Sequence, residues 1–200
     1  VCRTPASGER DRLGPMIERT PQMQLSPTSL EDLEEVHALY SDPRVWTHLP
    51  SGRFIDLEKT RAWIQGRVDA WELQGLGSYV ARDPESGALL GHGGCDVRGT
   101  EVEGGAFWNL GYRFAPEAQG RGLATELARH SMARALEVRP ELPIVAFLLE
   151  HNAASAAVAR KLGMTLQHRG PDAGNPDPEA IRLVFADREL TPAQLAATLA

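Results

Sequence analysis

The densest chemistry in the chain sits in APEAQGRGLATELARH (115–130), at Gln119, Gly120, Arg121, Gly122, Leu123 and Ala124. Glycine in a helix interior costs roughly 0.5–1 kcal/mol relative to alanine, so two at the head of a helix need a reason. A helix start offers unpaired N–H groups and a partial positive charge. Glycines ahead of it let successive N–H groups converge on an anion, and Arg121 adds a full charge. The spacing predicts a phosphate or pyrophosphate site at 119–124. A strand-to-helix turn that needs glycine for its angle gives the same pattern. The stretch is neither GxxxxGK[ST] nor GxGxxG, because Thr125 stands at the third glycine position. No acidic residue closes a strand about 20 residues later to hold a dinucleotide ribose.

A second group of polar residues opens EHNAASAAVARKLGM (150–164), where Asn152 is a good N-cap and Ser155 lies one turn on. Further side chains able to hold or move a proton are His92, Asp96, Glu103, Asn109, Glu150 and His151. Each is also an ordinary surface or structural residue type.

These groups must be placed by regular elements. A first strand is expected near 18–26. A helix follows, with Thr28 and Glu31 in capping-box spacing and Leu30, Leu33, Val36 and Tyr40 at helical intervals. A second helix is expected near 56–74, closed by Gly75 and Gly77. GSYVARD, ALLGHGGCDV and GGAFWNLGYRFAP read as three strands of an antiparallel meander. The glycine-headed helix follows, with Leu123, Leu127, Ala128, Met132 and Ala135 on its core face. LPIVAFLLE is then a strand, NAASAAVARKLGM a helix, TLQHR and AIRLVFA strands, and TPAQLAATLA a short helix capped by Thr191. The strand–helix–strand unit at 105–149 requires a parallel pair with a right-handed crossover. The expected fold is α/β (α+β): a mixed, mostly antiparallel sheet with helices on both faces. Residues 1–15 read as a flexible tail, Met16 as a candidate natural start, and 16–200 as one domain.

Bulk properties limit the partners. The 200 residues carry a net charge of −6 and are 42% hydrophobic. That balance argues against general nucleic-acid binding, and an acidic surface favours a cationic partner such as an amine, or simply solubility. Two cysteines and six scattered histidines give no thiolate or histidine metal spacing. No apolar run reaches a membrane span and the opening lacks a signal-peptide core, so a cytoplasmic protein is expected.

The pattern Gln-x-x-Gly-x-Ala at Gln119, Gly122 and Ala124 resembles the acyl-CoA pyrophosphate loop of the GNAT superfamily of N-acetyltransferases. LGYRFAPEAQGRGLATE resembles the family's fourth strand, loop and helix start. EHNAASAAVARKLGM resembles its Asn-x-x-Ser…Lys-Leu-Gly-Phe block, with Met164 for the usual phenylalanine. LEDLEEVHALYSDPRVW and ALLGHGG match looser family features. The resemblance covers about residues 18–187 and is closest to the branch of the ribosomal-protein acetyltransferases RimJ and RimL.

The resemblance implies direct acetyl transfer from acetyl-CoA to a primary amine, either a protein N-terminal α-amine or a small molecule. It implies a parallel strand pair splayed at a bulge to hold the cofactor. The main chain of Leu110, Gly111, Tyr112, Arg113 and Phe114 would line pantetheine, and Gln119 to Ala124 would hold the pyrophosphate. Asn152 and Ser155 would also touch the cofactor, with Ser155 a candidate acid and Glu103 and Asn109 further catalytic candidates. The tyrosine that many relatives carry after this block is missing. Trp108 is expected near the acceptor, and HLPSGRF (48–54) at the rim of its pocket. The branch also implies a homodimer. A catalytically silent acyl-CoA-binding module is the alternative reading.

Overall fold

The computed structural model describes residues 17–200; the tail expected over 1–15 and Met16 lie outside the described residues. The strands are β1 (Glu18–Arg19), β2 (Gln24–Pro27), β3 (Ser78–Arg82), β4 (Leu89–Arg98), β5 (Phe107–Phe114), β6 (Ile144–Leu149), β7 (Thr165–Pro171) and β8 (Ile181–Ala186). They form one sheet in the order β1-β2-β3-β4-β5-β6-β8-β7. Every neighbouring pair is antiparallel except β5 and β6. The helices are α1 (Leu33–Ser41), α2 (Leu57–Gln74), α3 (Leu123–Val138), α4 (Ala153–Lys161) and α5 (Pro192–Leu199).

Local chemistry sets most of these boundaries. The Asp56 carboxylate accepts from the amides of Glu58 and Lys59 to open α2, and Gly75 at φ 72° closes it. Thr191 and Gln194 form a reciprocal capping box around Pro192 at the head of α5. Two expectations shift. The single strand near 18–26 is two short strands, because Thr20 turns back to the Met23 carbonyl. The capping box ahead of α1 is Ser29 with Asp32, one residue later than Thr28 with Glu31. Thr28 is drawn inward instead, where its hydroxyl donates to the Ser78 carbonyl.

Strand alternation divides the core. Trp108, Leu110 and Phe114 of β5 pack with Leu123, Leu127 and Ala128 of α3 and with Ala156 and Ala159 of α4. On the other face, Val80 packs under α1 and α2 with Val36, Tyr40 and Ile64. Phe107, Val145 and Val184 lie on that face under α5. The β4–β5 register runs unbroken from Gly91↔Phe114 to Arg98↔Phe107, with His92 opposite Arg113 and Asp96 opposite Asn109. It is tight: a Cβ on Gly93 would stand 2.5 Å from the Gly111 carbonyl oxygen.

Candidate active site

β5 and β6 separate almost as soon as they meet. Only Trp108↔Ile144 and Asn109↔Val145 pair. Beyond them β5 stays with β4 as far as Phe114, and β6 stays with β8 as far as Leu149↔Arg182. Each strand follows its outer partner, so a wedge opens between them. Gly111 is exposed although its strand lies in the middle of the sheet, and one edge of residues 110–114 has no ladder partner among the described residues. The expected bulge is absent, since β5 keeps its register against β4 throughout. Gly111 also has space for a Cβ, with only the Asn109 amide within 4 Å. The splay therefore comes from divergence of whole strands and not from a glycine kink.

The wedge runs into the glycine loop. A 3-10 turn at Pro116–Ala118 leads to Gln119, whose side chain donates to the Phe114 carbonyl. Main-chain bonding stops at the Gln119 amide and resumes with the Glu126 amide on the Gly122 carbonyl. Among the described residues, the amides of 120–125 are without a main-chain acceptor between those points. Gly120 and Gly122 take φ of 76° and 82°, a region that favours glycine, and nothing lies within 4 Å of where their Cβ atoms would be. Open space and six undonated amides at the head of a 16-residue helix fit a phosphate group. Arg121 is exposed beside them. A cavity of about 640 Å³ covers the loop and reaches Asn152, Ser155 and Lys161 of the facing helix.

Asn152 caps α4 by accepting from the Ser155 amide at 3.1 Å. Ser155 and Tyr112 line both this cavity and a second one of about 370 Å³ on the other side of the wedge. Burial raises the Tyr112 phenol above its ordinary pKa, while Ser155 and Arg113 pull it the other way. The family resemblance implies a role only for the main chain of Tyr112. Folding brings the Tyr112 side chain, from β5, beside Ser155.

The second cavity is walled by Tyr40, Trp46, Phe54 and Trp63, with Leu49 and His48 from the expected rim. Its floor is the face of the sheet that carries His92, Asp96, Asn109 and Arg113. Asp96 is 7% exposed. Its Oδ2 accepts from Ser78 Oγ at 2.9 Å and pairs with an Arg67 nitrogen at 2.7 Å. Its Oδ1 and Arg67 Nε are buried without a hydrogen-bond partner among the described residues. A buried carboxylate oxygen left unpaired is costly, and Asp96 is one of the residues that line this cavity.

His92 holds the aromatic wall. Thr28 Oγ1 gives its proton to Ser78 O at 2.7 Å and so must accept from His92 Nε2–H at 2.9 Å. Nδ1 is then the acceptor for the Tyr40 hydroxyl at 3.0 Å. Burial, with Arg67 nearby, lowers the His92 pKa to about 3. It is neutral with both ring nitrogens engaged, and so has no lone pair to offer an amine. His48 is held near 4 by burial and by the Arg113 and His151 charges. Its Nε2 accepts from Arg113, whose guanidinium lies 3.8 Å from the Trp46 ring centroid.

Other expected site residues fall elsewhere. Glu103 is exposed in the turn between β4 and β5, touching only Thr100 Oγ1 at 3.5 Å, and lines neither cavity. Trp108 is fully buried with its indole nitrogen on the Arg139 carbonyl; in the alternation it faces α3, away from the second cavity. Trp46 and Trp63 stand where Trp108 was expected. Glu150 is paired with Arg169 at the surface, and His151 donates to the His48 carbonyl at 2.7 Å. Asn109, next to Trp108 but on the opposite face, does line the cavity.

Comparison with known proteins agrees with this geometry. The family model described as "Acetyltransferase (GNAT) domain" matches residues 22–165. The uncharacterized protein YkkB of Bacillus subtilis is 29% identical over 126 residues, 63% of this chain and 71% of that protein. A putative GNAT-family acetyltransferase from Bordetella pertussis superposes with a TM-score of 0.73 at 22% identity, covering 86% of this chain and 99% of its own. RimL, a ribosomal L7/L12 α-N-protein acetyltransferase solved with coenzyme A, superposes with a TM-score of 0.68 at 19% identity, covering 88% and 98%. With the family model spanning most of the chain and the split strand pair and glycine loop in place, this chain belongs to the GNAT acetyltransferase family and is an acetyl-CoA-dependent acetyltransferase.

Proposed function

We propose that this chain transfers an acetyl group to a primary amine held in the aromatic cavity, the acceptor being a protein N-terminal α-amine or a small molecule. The observation that carries this reading is the continuity of the wedge. It opens on one side to the undonated amides of 120–125 and on the other to a cavity floored by a buried, unpaired carboxylate oxygen. The main chain of Leu110 to Phe114 would line the pantetheine arm. Gln119, Gly120, Arg121, Gly122, Leu123 and Ala124 would hold the pyrophosphate, with Asn152 and Ser155 closing the opposite side. When bound, acetyl-CoA supplies an activated thioester.

The chain's own groups then divide the work. An amide of the unladdered edge at 110–114 donates to the developing oxyanion, a role worth up to ~3 kcal/mol. Asp96 Oδ1 accepts a proton from the amine, and Asn109, opposite it in register, orients that amine. Ser155 with Tyr112 returns a proton to the leaving thiolate. Glu103 has no part in this scheme. Tyr112 would supply a hydroxyl on this side of the wedge, which supports transfer over a silent binding module.

The α-amine reading is supported by the likeness to RimL, which acts on a ribosomal-protein N-terminus. A place in the RimJ/RimL branch and in the cytoplasm belongs to the same proposal. CoA thiol release against free-ended peptides, N-blocked lysine peptides, polyamines and aminoglycosides tests it. Release with one class identifies the acceptor. Saturable acetyl-CoA binding with no release from any amine refutes transfer in favour of the binding module.

A further inference from the structure

The cavity walls carry a charge that the whole chain hides. The protein is acidic overall, at −6, yet its acceptor cavity is lined by Arg67, Arg98, Arg113 and Arg182 against only Asp96 and Asp172. Arg67 pairs with Asp96, and Arg182 pairs with Asp172 and donates to the Thr198 carbonyl. Arg98 and Arg113 have no carboxylate partner among the described residues. His48 and His92 are neutral. The cavity therefore holds two uncompensated positive charges.

The two differ in position. Arg113 lies over Trp46 and lines both cavities, so it is within reach of the cofactor side as well. Arg98 lines only the acceptor cavity. It sits at the end of β4, one alternation past Asp96 on the same face. Its guanidinium is 5.7 Å from the Phe147 ring centroid, and that of Arg182 is 5.4 Å from the same ring. Two guanidiniums thus converge over one ring, and only one of them is occupied by an acid. A planar fork of donors with no acceptor is suited to a carboxylate.

We propose that the acceptor of this enzyme is an amine that also carries a carboxylate, with the amino group at Asp96 and Asn109 and the carboxylate on Arg98. This rests on the acetyl-transfer reading above and narrows it. Polyamines and aminoglycosides, which bring only positive charge, are rejected by the same arginines. The carboxylate can come from a free amino acid or from an acidic side chain near a peptide's amino end. The Asp96 oxygen and the Arg98 fork are the same recognition pair in both cases.

The test is calorimetric titration of the full chain preloaded with CoA, which reads binding without requiring turnover. L-phenylalanine is compared with its amide. A short peptide with a free amino end and aspartate at its second place is compared with the asparagine form. Arg98→Gln, an exposed substitution, is measured beside the wild type, with CoA affinity as its folding control. In at least one pair the acid form binds at least about fivefold more tightly than its neutral analogue, and Arg98→Gln removes that preference. The pair that shows it identifies the source of the carboxylate. Equal binding of acid and neutral forms in both pairs overturns the proposal, as does a preference that survives Arg98→Gln. Charge-dependent binding with no CoA thiol release upholds this inference and refutes transfer, so the two failures are distinct.

Discussion

Replacing His92 by glutamine separates a titrating wall support from a merely packed one. The imidazole donates to Thr28 through Nε2 and accepts from Tyr40 through Nδ1, and a glutamine amide offers one donor and one acceptor at similar reach without titrating. The folded-state pKa of about 3 lies below an unfolded value of about 6.5. The folded state therefore binds fewer protons than the unfolded one between those values. Stability from this group is whole above pH 6.5 and is lost as pH falls towards 3. At pH 5 the difference of about 1.5 units below the unfolded value corresponds to a loss of about 2 kcal/mol in the wild type. His48, near 4 in the folded state, destabilises in the same window and in both proteins. Its effect cancels in the comparison. Urea unfolding at pH 7.5 and pH 5 gives both stabilities. At pH 7.5 the variant is less stable by about 1–2 kcal/mol from imperfect packing, and by pH 5 the gap closes or reverses. Parallel losses in the two proteins refute the neutral, doubly bonded imidazole and with it the account of how Tyr40 is held.

Three further outcomes follow from the site. Gly122→Glu adds a left-handed strain of about 1–2 kcal/mol but no clash, so the protein stays folded while acetyl-CoA affinity falls at least about tenfold; normal affinity by calorimetry would make the loop only a turn. Ser155→Ala and Tyr112→Phe each lower kcat about tenfold with near-normal acetyl-CoA affinity, and the double variant loses less than the product of the two because they act together; an unchanged kcat in both singles removes them from the acid role. Asp96→Asn keeps the shape of the floor and lowers kcat/KM about 100-fold, and a variant that retains wild-type turnover returns the base to a solvent relay.

The net charge of the whole chain does not describe the cavity. The acidic total suggests a cationic partner, but the Arg98 and Arg113 guanidiniums face the acceptor cavity while the excess carboxylates lie elsewhere. The family resemblance implies Trp108 near the acceptor and Glu103 as a catalytic candidate. In a strand, adjacent residues face opposite sides, so Asn109 enters the cavity and Trp108 joins the core. Glu103 precedes β5 and stays in the turn at the other end of the strand from the glycine loop.

What the sequence determined by itself is what depends on short stretches of chain. The cap at Thr191, the stop at Gly75, the apolar stripe of α3 and the paired glycines at 120 and 122 are local, because their geometry is fixed within a turn or two of backbone. The order of elements, and the parallel pair that its crossover requires, were legible for the same reason. Only the tertiary structure decided how the site is assembled. The wedge exists because β5 and β6 each follow a different outer partner. The Tyr112–Ser155 neighbourhood spans that wedge, and the acceptor floor depends on a β4–β5 register that sets Asp96 opposite Asn109. These are pairings between distant segments, and the energy that fixes them is the packing of whole faces, which no short stretch of sequence contains.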